Sequence, residues 1–170
     1  MVVDVMATEH HERFMQAAIR EALAAREEGE VPTGCIIIHQ PPGSSTARLI
    51  ARAHNQVECL KDPTAHAEMI AITQAANALG DWRLEHTTLY VTKEPCSMCA
   101  GAIVLARIPL VVFGVPDPRR GGAVSVFNIL NNDQLNHRAQ VIAGVRADEC
   151  RDLLQSFFKE RRSGIHPSPS

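Results

Sequence analysis

The stretch EPCSMCAG, residues 94–101, places Cys96 and Cys99 three apart, with a proline before the first. Such a pair is half of a metal site. Thiolates take soft or borderline ions, and imidazole is their usual companion around zinc. Of the eight histidines, His66 in DPTAHAEM stands out because it sits at the start of a helical pattern, as Cys96 does. Helix N-termini carry positive potential and free N–H groups, which favour thiolates and other anions. Cys96 and Cys99 share a face through their i, i+3 spacing. His66, Cys96 and Cys99 make three ligands, whereas a closed structural zinc site takes four. Three protein ligands plus water is the catalytic arrangement, and the bound water's pKa can fall to about 7. Glu68 gives the open position a purpose. Residues two apart on a helix point about 200° apart, so His66 and Glu68 can meet only at a site lying off the helix end. A carboxylate there can take a proton from the water and pass it to a substrate, a transfer that contributes typically ~10²–10⁴-fold.

These side chains need helix starts and strand ends to hold them. Met15, Ile19 and Leu23 recur every four residues, so a helix is predicted from His10 to Glu28, with Gly29 placed to end it. CIII (35–38) and ARLIARA (47–53) read as two strands, and the turn-rich PPGSST between them predicts an antiparallel pair. Asp62-Pro63 reads as the cap and first residue of a helix running to Gly80. TTLYVT (87–92) reads as a strand and Pro95 as the opening of the helix CSMCAGAIVLA. LVVFGV (110–115) is apolar enough for a strand buried on both faces. A short helix near SVFNIL, a strand at AQVIAGV and a helix from Ala147 to about Arg162 complete the pattern. Strands alternating with helices predict an α/β protein with a partly parallel sheet covered on both faces.

The chain has 170 residues, 45% hydrophobic and 21% charged, which suits one domain with a sizeable core. No apolar run approaches the ~20 residues of a membrane span. The N-terminus, MVVDVMATEHHE, lacks a secretory pattern. The expected location is therefore the cytoplasm. A net charge of −2 gives no global attraction to nucleic acid, so an RNA partner would rely on local clusters such as Arg119-Arg120 and Lys159, Arg161 and Arg162. Five cysteines without a secretion signal argue against a disulfide framework. Cys35 in GCIII reads as a buried small hydrophobe, while Cys59 and Cys150 have no evident partner.

The pattern H-x-E…P-C-x-x-C resembles that of zinc nucleobase deaminases. VPTG (31–34), His54-Asn55, DPTAHAE (62–68), TLYVTKEPCSMCAGAI (88–103), RIPLVVFG (107–114), the Asp117 loop, LNHR (135–138) and ADEC…FFKERR (147–162) follow in order. Together they resemble the bacterial tRNA-specific adenosine deaminase family over most of residues 10–162. LNHR and the FF-basic last helix are the more telling segments, since deaminases of free bases share the zinc motif. The resemblance implies a three-layer α/β/α cytidine-deaminase-like fold with a central mixed five-stranded sheet. It implies a deaminase domain over 10–162 behind an N-terminal extension (1–9), and the Pro and Ser of SGIHPSPS predict a flexible tail (163–170). It further implies a homodimer with one zinc ion per subunit, acting on a tRNA anticodon stem-loop. The implied reaction is hydrolysis of adenosine to inosine at the wobble position, the first of the anticodon. In it His66, Cys96 and Cys99 hold zinc and Glu68 shuttles protons between the activated water and the base. Asn55 would hydrogen-bond the flipped base, Val31, Pro32 and Ala67 would wall its pocket, and Asp117 would contact neighbouring nucleotides. Phe157, Phe158, Arg161 and Arg162 would serve the RNA.

Each of these roles has a plainer rival. Asn55 could be a polar strand end, Asp117 between two prolines could be turn chemistry, and Phe157 and Phe158 could be core. The loop GVPDPRRGG departs from the family's usual Gly-Ala-Arg-Asp-x-Lys-Thr-Gly, with Pro116 in place of an Arg and Arg119-Arg120 in the Lys-Thr place. A deaminase of free guanine, cytosine or a nucleoside would keep the zinc chemistry without RNA-facing parts. A zinc-stabilised RNA-binding module would keep the ligands but have no use for Glu68. A deaminase of secondary metabolism also remains open at this stage.

Overall fold

The structure, a computed structural model, describes residues 5–164, with side chains from Thr8 onward. Helices α1 (Val5–Glu27), α2 (Val57–Leu60), α3 (Ala67–Leu79), α4 (Ser97–Leu105) and α5 (Ala147–Arg162) accompany five strands. These are β1 (Gly34–His39), β2 (Arg48–His54), β3 (Thr87–Lys93), β4 (Leu110–Val115) and β5 (Gln140–Ala143), arranged in the order β2-β1-β3-β4-β5. β1 pairs antiparallel with β2 and β3, and β3, β4 and β5 run parallel. The sheet is the mixed five-stranded one expected.

Alternation along the strands divides the core into two layers. Ile36, Ile38, Tyr90 and Val112 face α1 and meet Phe14, Met15, Ala18 and Ile19. Ile37, Leu89, Val91, Val111 and Phe113 face the other way, onto Ala67, Ala71 and Ala75 of α3 and Ala100, Ile103 and Val104 of α4. Helices therefore cover both faces, giving the three layers. Gly34 lets α1 come close: a Cβ there would lie 2.0 Å from the Ala18 carbonyl oxygen. α1 ends in a Schellman closure, in which Gly29 takes φ +77° and its N–H bonds to the Arg26 carbonyl while Glu30 N–H bonds to Ala25.

Three helix starts and two short segments differ from expectation. α1 begins at Val5 rather than His10, so residues 5–9 of the expected extension are helical, and residues 1–4 and 165–170 lie outside the described residues. α3 begins at Ala67 with His66 at the cap position, not at Asp62-Pro63. Asp62 instead closes a turn, its Oδ1 accepting from the Thr64 N–H at 2.8 Å and the Thr64 hydroxyl at 2.7 Å. Likewise Cys96, not Pro95, immediately precedes the first residue of α4. No helix forms at SVFNIL, where the N–H groups of Val126 and Phe127 bond to the Gly121 carbonyl and that of Ile129 to Gly122. The short α2 was not anticipated.

Candidate active site

Two helix starts converge at one point. His66 and Cys96 occupy the cap positions of α3 and α4, and Cys99 follows three residues into α4. His66 Nδ1 lies 3.6 Å from Cys96 Sγ and 3.5 Å from Cys99 Sγ, and all three donor atoms lie within 4.8 Å of one another. Zn–N bonds of about 2.0–2.1 Å and Zn–S bonds of about 2.3 Å at a tetrahedral angle give an N···S edge of about 3.6 Å. The donors are thus already spaced for zinc. Cys96 is driven down to about 3, first by the Cys99 thiol that donates to it and then, against its burial, by His66. The same contact and burial push Cys99 up.

Glu68 lies one residue inside α3 and is only 4% exposed. Burial raises its carboxyl above the usual range, opposed by a bond from its own N–H and by the nearby His66. A carboxyl so placed takes up a proton more readily than one in water, the property a proton carrier needs. Glu68 opens with His66, Ala67 and Cys96 onto a cavity of about 280 Å³.

The rest of the cavity wall sorts the other expected residues. Val31 and Asn55 line it, whereas Pro32 is buried and does not. Asn55 is 7% exposed at the end of β2, and its Nδ2 donates to Glu30 Oε2 at 2.9 Å. Asp117 lines the cavity too, but its carboxylate is engaged by the loop itself. Oδ2 meets Lys93 Nζ at 2.6 Å, and Oδ1 accepts from the N–H groups of Arg119 and Arg120 at 3.0 and 3.1 Å. Burial alone would raise this carboxyl, but Lys93 and those N–H groups together hold it below its ordinary value. Arg161 reaches the cavity edge, where its guanidinium donates to the Gly29 carbonyl at 2.6 Å and lies over the Phe157 ring. Phe157 itself is fully buried, which corrects the expectation that it meets RNA: it anchors α5 and supports Arg161. Phe158, 43% exposed, and Arg162 remain at the surface.

Three residues of this region were missed in the sequence. Glu30 is fully buried and accepts from both Asn55 and the Cys59 N–H, the latter at 2.7 Å. Glu94 is 2% exposed and accepts from the N–H groups of Asp117, Val124 and Ser125 and from the Ser125 hydroxyl, pinning the loop after β4 against the zinc site. Lys93 balances Asp117. A glutamate carries no mark of burial in sequence. The one available signal was position, since Glu30 follows a helix-ending glycine and Glu94 stands directly before Pro95-Cys96.

The zinc-binding region of the cytidine and deoxycytidylate deaminases matches residues 8–115. The tRNA-specific adenosine deaminase of Bacillus subtilis is 48% identical over 89% of this chain and 90% of its own length. The enzyme of the same name from Aquifex aeolicus is 49% identical over 91% and 97%. The chain belongs to the tRNA-specific adenosine deaminase family. In shape, it resembles a solved structure from a study of A-to-I editing by tRNA:A34 deaminases at the wobble position. The two share 39% identity and superpose with a TM-score of 0.76 over 84% of this chain and 99% of the other. A three-donor metal cluster and a buried acid meet at one cavity, an arrangement that fits zinc-dependent hydrolytic deamination. Among the described residues, no helix is long and apolar enough to cross a membrane.

Proposed function

We propose that this chain deaminates adenosine to inosine at the wobble position of a tRNA, releasing ammonia. The observation that carries the reading is the joint placement of buried Glu68 and the His66–Cys96–Cys99 cluster at a cavity of about 280 Å³ that Lys93, Arg120 and Arg161 also line. Bound zinc supplies there a water acidic enough to lose a proton near neutral pH. Glu68 takes that proton as the oxygen adds to C6 of adenine, and delivers it to N1. C6 is then tetrahedral. The same carboxyl takes the second proton of the added oxygen and gives it to the departing amine, so the C–N bond breaks with release of ammonia. Asn55 and Val31 hold the base. Arg120 and Arg161 meet phosphates of the flanking nucleotides, and Phe158, Arg162 and Lys159 extend that surface along α5. Asp117, its carboxylate held by Lys93 and the N–H groups of Arg119 and Arg120, shapes the loop beside the flanking nucleotides.

The active form in this reading is a homodimer in the cytoplasm. Four exposed large apolar side chains between β4 and β5, Val124, Val126, Phe127 and Leu135, support a covered surface beside the site.

The test is inosine formation on an anticodon stem-loop with adenosine at its first anticodon position. Free adenosine, cytosine and guanine run beside it, with Glu68→Ala as the blank. Turnover of the stem-loop alone is expected. Ammonia from a free base with an inert stem-loop would keep the zinc chemistry and overturn the substrate.

A further inference from the structure

We infer that Glu30 is a positioning residue which sets the orientation of the Asn55 amide and so decides which groups that amide offers to the substrate base. This deepens the reading above and rests on Asn55 holding the base. Glu30 has no exposed surface, and both of its oxygens are engaged: Oε2 by Asn55 Nδ2 at 2.9 Å and Oε1 by the Cys59 N–H at 2.7 Å. Its own backbone is locked by the Schellman closure of α1, where Glu30 N–H bonds to the Ala25 carbonyl at 2.9 Å. Neither end of this relay can drift. Asn55 is held from behind as well, its N–H bonding to the Thr33 carbonyl at 3.1 Å.

A carboxylate only accepts, so it selects one of the two ways an asparagine amide can lie. Turning the amide over would set Oδ1 against a buried carboxylate oxygen with no proton between them. The selected orientation leaves Asn55 with one free Nδ2 hydrogen and an Oδ1 that has no hydrogen bond among the described residues. Away from the reacting edge, adenine presents ring nitrogens N3 and N7, both acceptors. The free Nδ2 hydrogen is the group that suits one of them.

Glu30→Gln tests this with almost no change of shape. The Cys59 N–H belongs to the backbone and cannot turn, so it keeps the glutamine oxygen. The new NH₂ then faces Asn55, whose amide must turn over to present Oδ1. The donor aimed at the ring nitrogen is lost. Single-turnover deamination is measured on stem-loops carrying adenosine, 3-deazaadenosine or 7-deazaadenosine at the target position, with zinc content and thermal midpoint read on the same samples. Wild type is expected to lose about 10- to 100-fold on one of the two deaza substrates, the scale of one buried hydrogen bond. Glu30→Gln is expected to lose a similar factor on adenosine itself and to treat that deaza substrate no worse than adenosine, with zinc retained. A Glu30→Gln enzyme that keeps the wild-type deaza penalty would overturn the positioning role and leave Asn55 as a base reader. A wild type indifferent to both deaza substrates would overturn the Asn55 reading itself. Glu30→Ala, which removes the acceptor without adding a donor, serves if the glutamine variant does not fold. Its deaza penalty is expected to shrink, and an undiminished penalty would count against the proposal.

Discussion

Replacing Glu94 with glutamine removes one charge and changes no atom's position, yet it strikes four hydrogen bonds. Oε1 accepts from Val124 N–H at 2.8 Å and Ser125 N–H at 2.9 Å, while Oε2 accepts from Asp117 N–H at 2.8 Å and from the Ser125 hydroxyl. A glutamine can turn its oxygen to the first pair, and the serine hydroxyl can rotate to accept. The Asp117 N–H cannot adapt and is left facing an NH₂ group. One buried donor without an acceptor costs about 1–3 kcal/mol, and the surviving bonds lose their charge assistance, so a total near 3 kcal/mol is expected. For a chain of this size that is a fall of about 6–12 °C in thermal midpoint. The pH dependence has a definite sign. Burial alone would raise the Glu94 carboxyl, but the Ser125, Val124 and Asp117 donors hold it below its ordinary value. The stabilisation is therefore complete above the unfolded glutamate pKa, about 4.3, and is lost as pH falls through the lower folded value. The gap between wild type and Glu94→Gln should be flat from pH 6 to 8 and should close below about pH 4, measured by urea unfolding of zinc-loaded protein. A gap under 0.5 kcal/mol at pH 7, or one that widens in acid, would refute the claim that this carboxylate holds the loop.

Three further outcomes are expected. Gly34→Ala sets a methyl group 2.0 Å from the Ala18 carbonyl oxygen and 2.4 Å from the Ala22 nitrogen, so α1 must lift from β1. Its unfolding free energy should drop by more than about 3 kcal/mol, a loss typical of severe overpacking. Phe157→Ala should cost about 3–5 kcal/mol by emptying a core site, whereas Phe158→Ala should leave stability nearly unchanged and weaken stem-loop binding by about 1–3 kcal/mol; calorimetry and fluorescence anisotropy separate the two. Chelation of zinc should abolish turnover, release two thiols to a thiol reagent, and be reversed by stoichiometric zinc, as metal analysis and activity recovery would show.

What was legible in the sequence and what was not follow a physical division. Periodicity announces elements whose faces are buried, and LVVFGV is β4 residue for residue because both faces of that strand are covered. The zinc donors were legible because metal chemistry limits which side chains and spacings will serve. Asp62-Pro63 misled because an aspartate that closes a turn on Thr64 and one that caps a helix are written alike. The displaced boundary matters chemically. Starting α3 at Ala67 puts His66 at its cap, where the imidazole turns toward the cysteines instead of lying along the helix side.

Glu30 and Glu94 escaped for a deeper reason. Each is a buried acid whose partners are mainly backbone N–H groups or one distant amide, and such donors are invisible in a sequence because every residue but proline has one. Both acids line the cavity and do parallel work. Glu94 ties the loop bearing Asp117 and Arg120 to the segment that carries Cys96, and Glu30 ties Asn55 to the end of α1. The cavity's shape thereby depends on two carboxylates in its wall that are almost wholly buried and spend their oxygens on the protein. That arrangement explains how GVPDPRRGG can depart from the family's usual loop. The grip on the loop is Glu94 with backbone N–H groups, which do not depend on side-chain identity. Side chains at 116 and 119, which do not line the cavity, can vary while the loop that carries Asp117 and Arg120 stays in place.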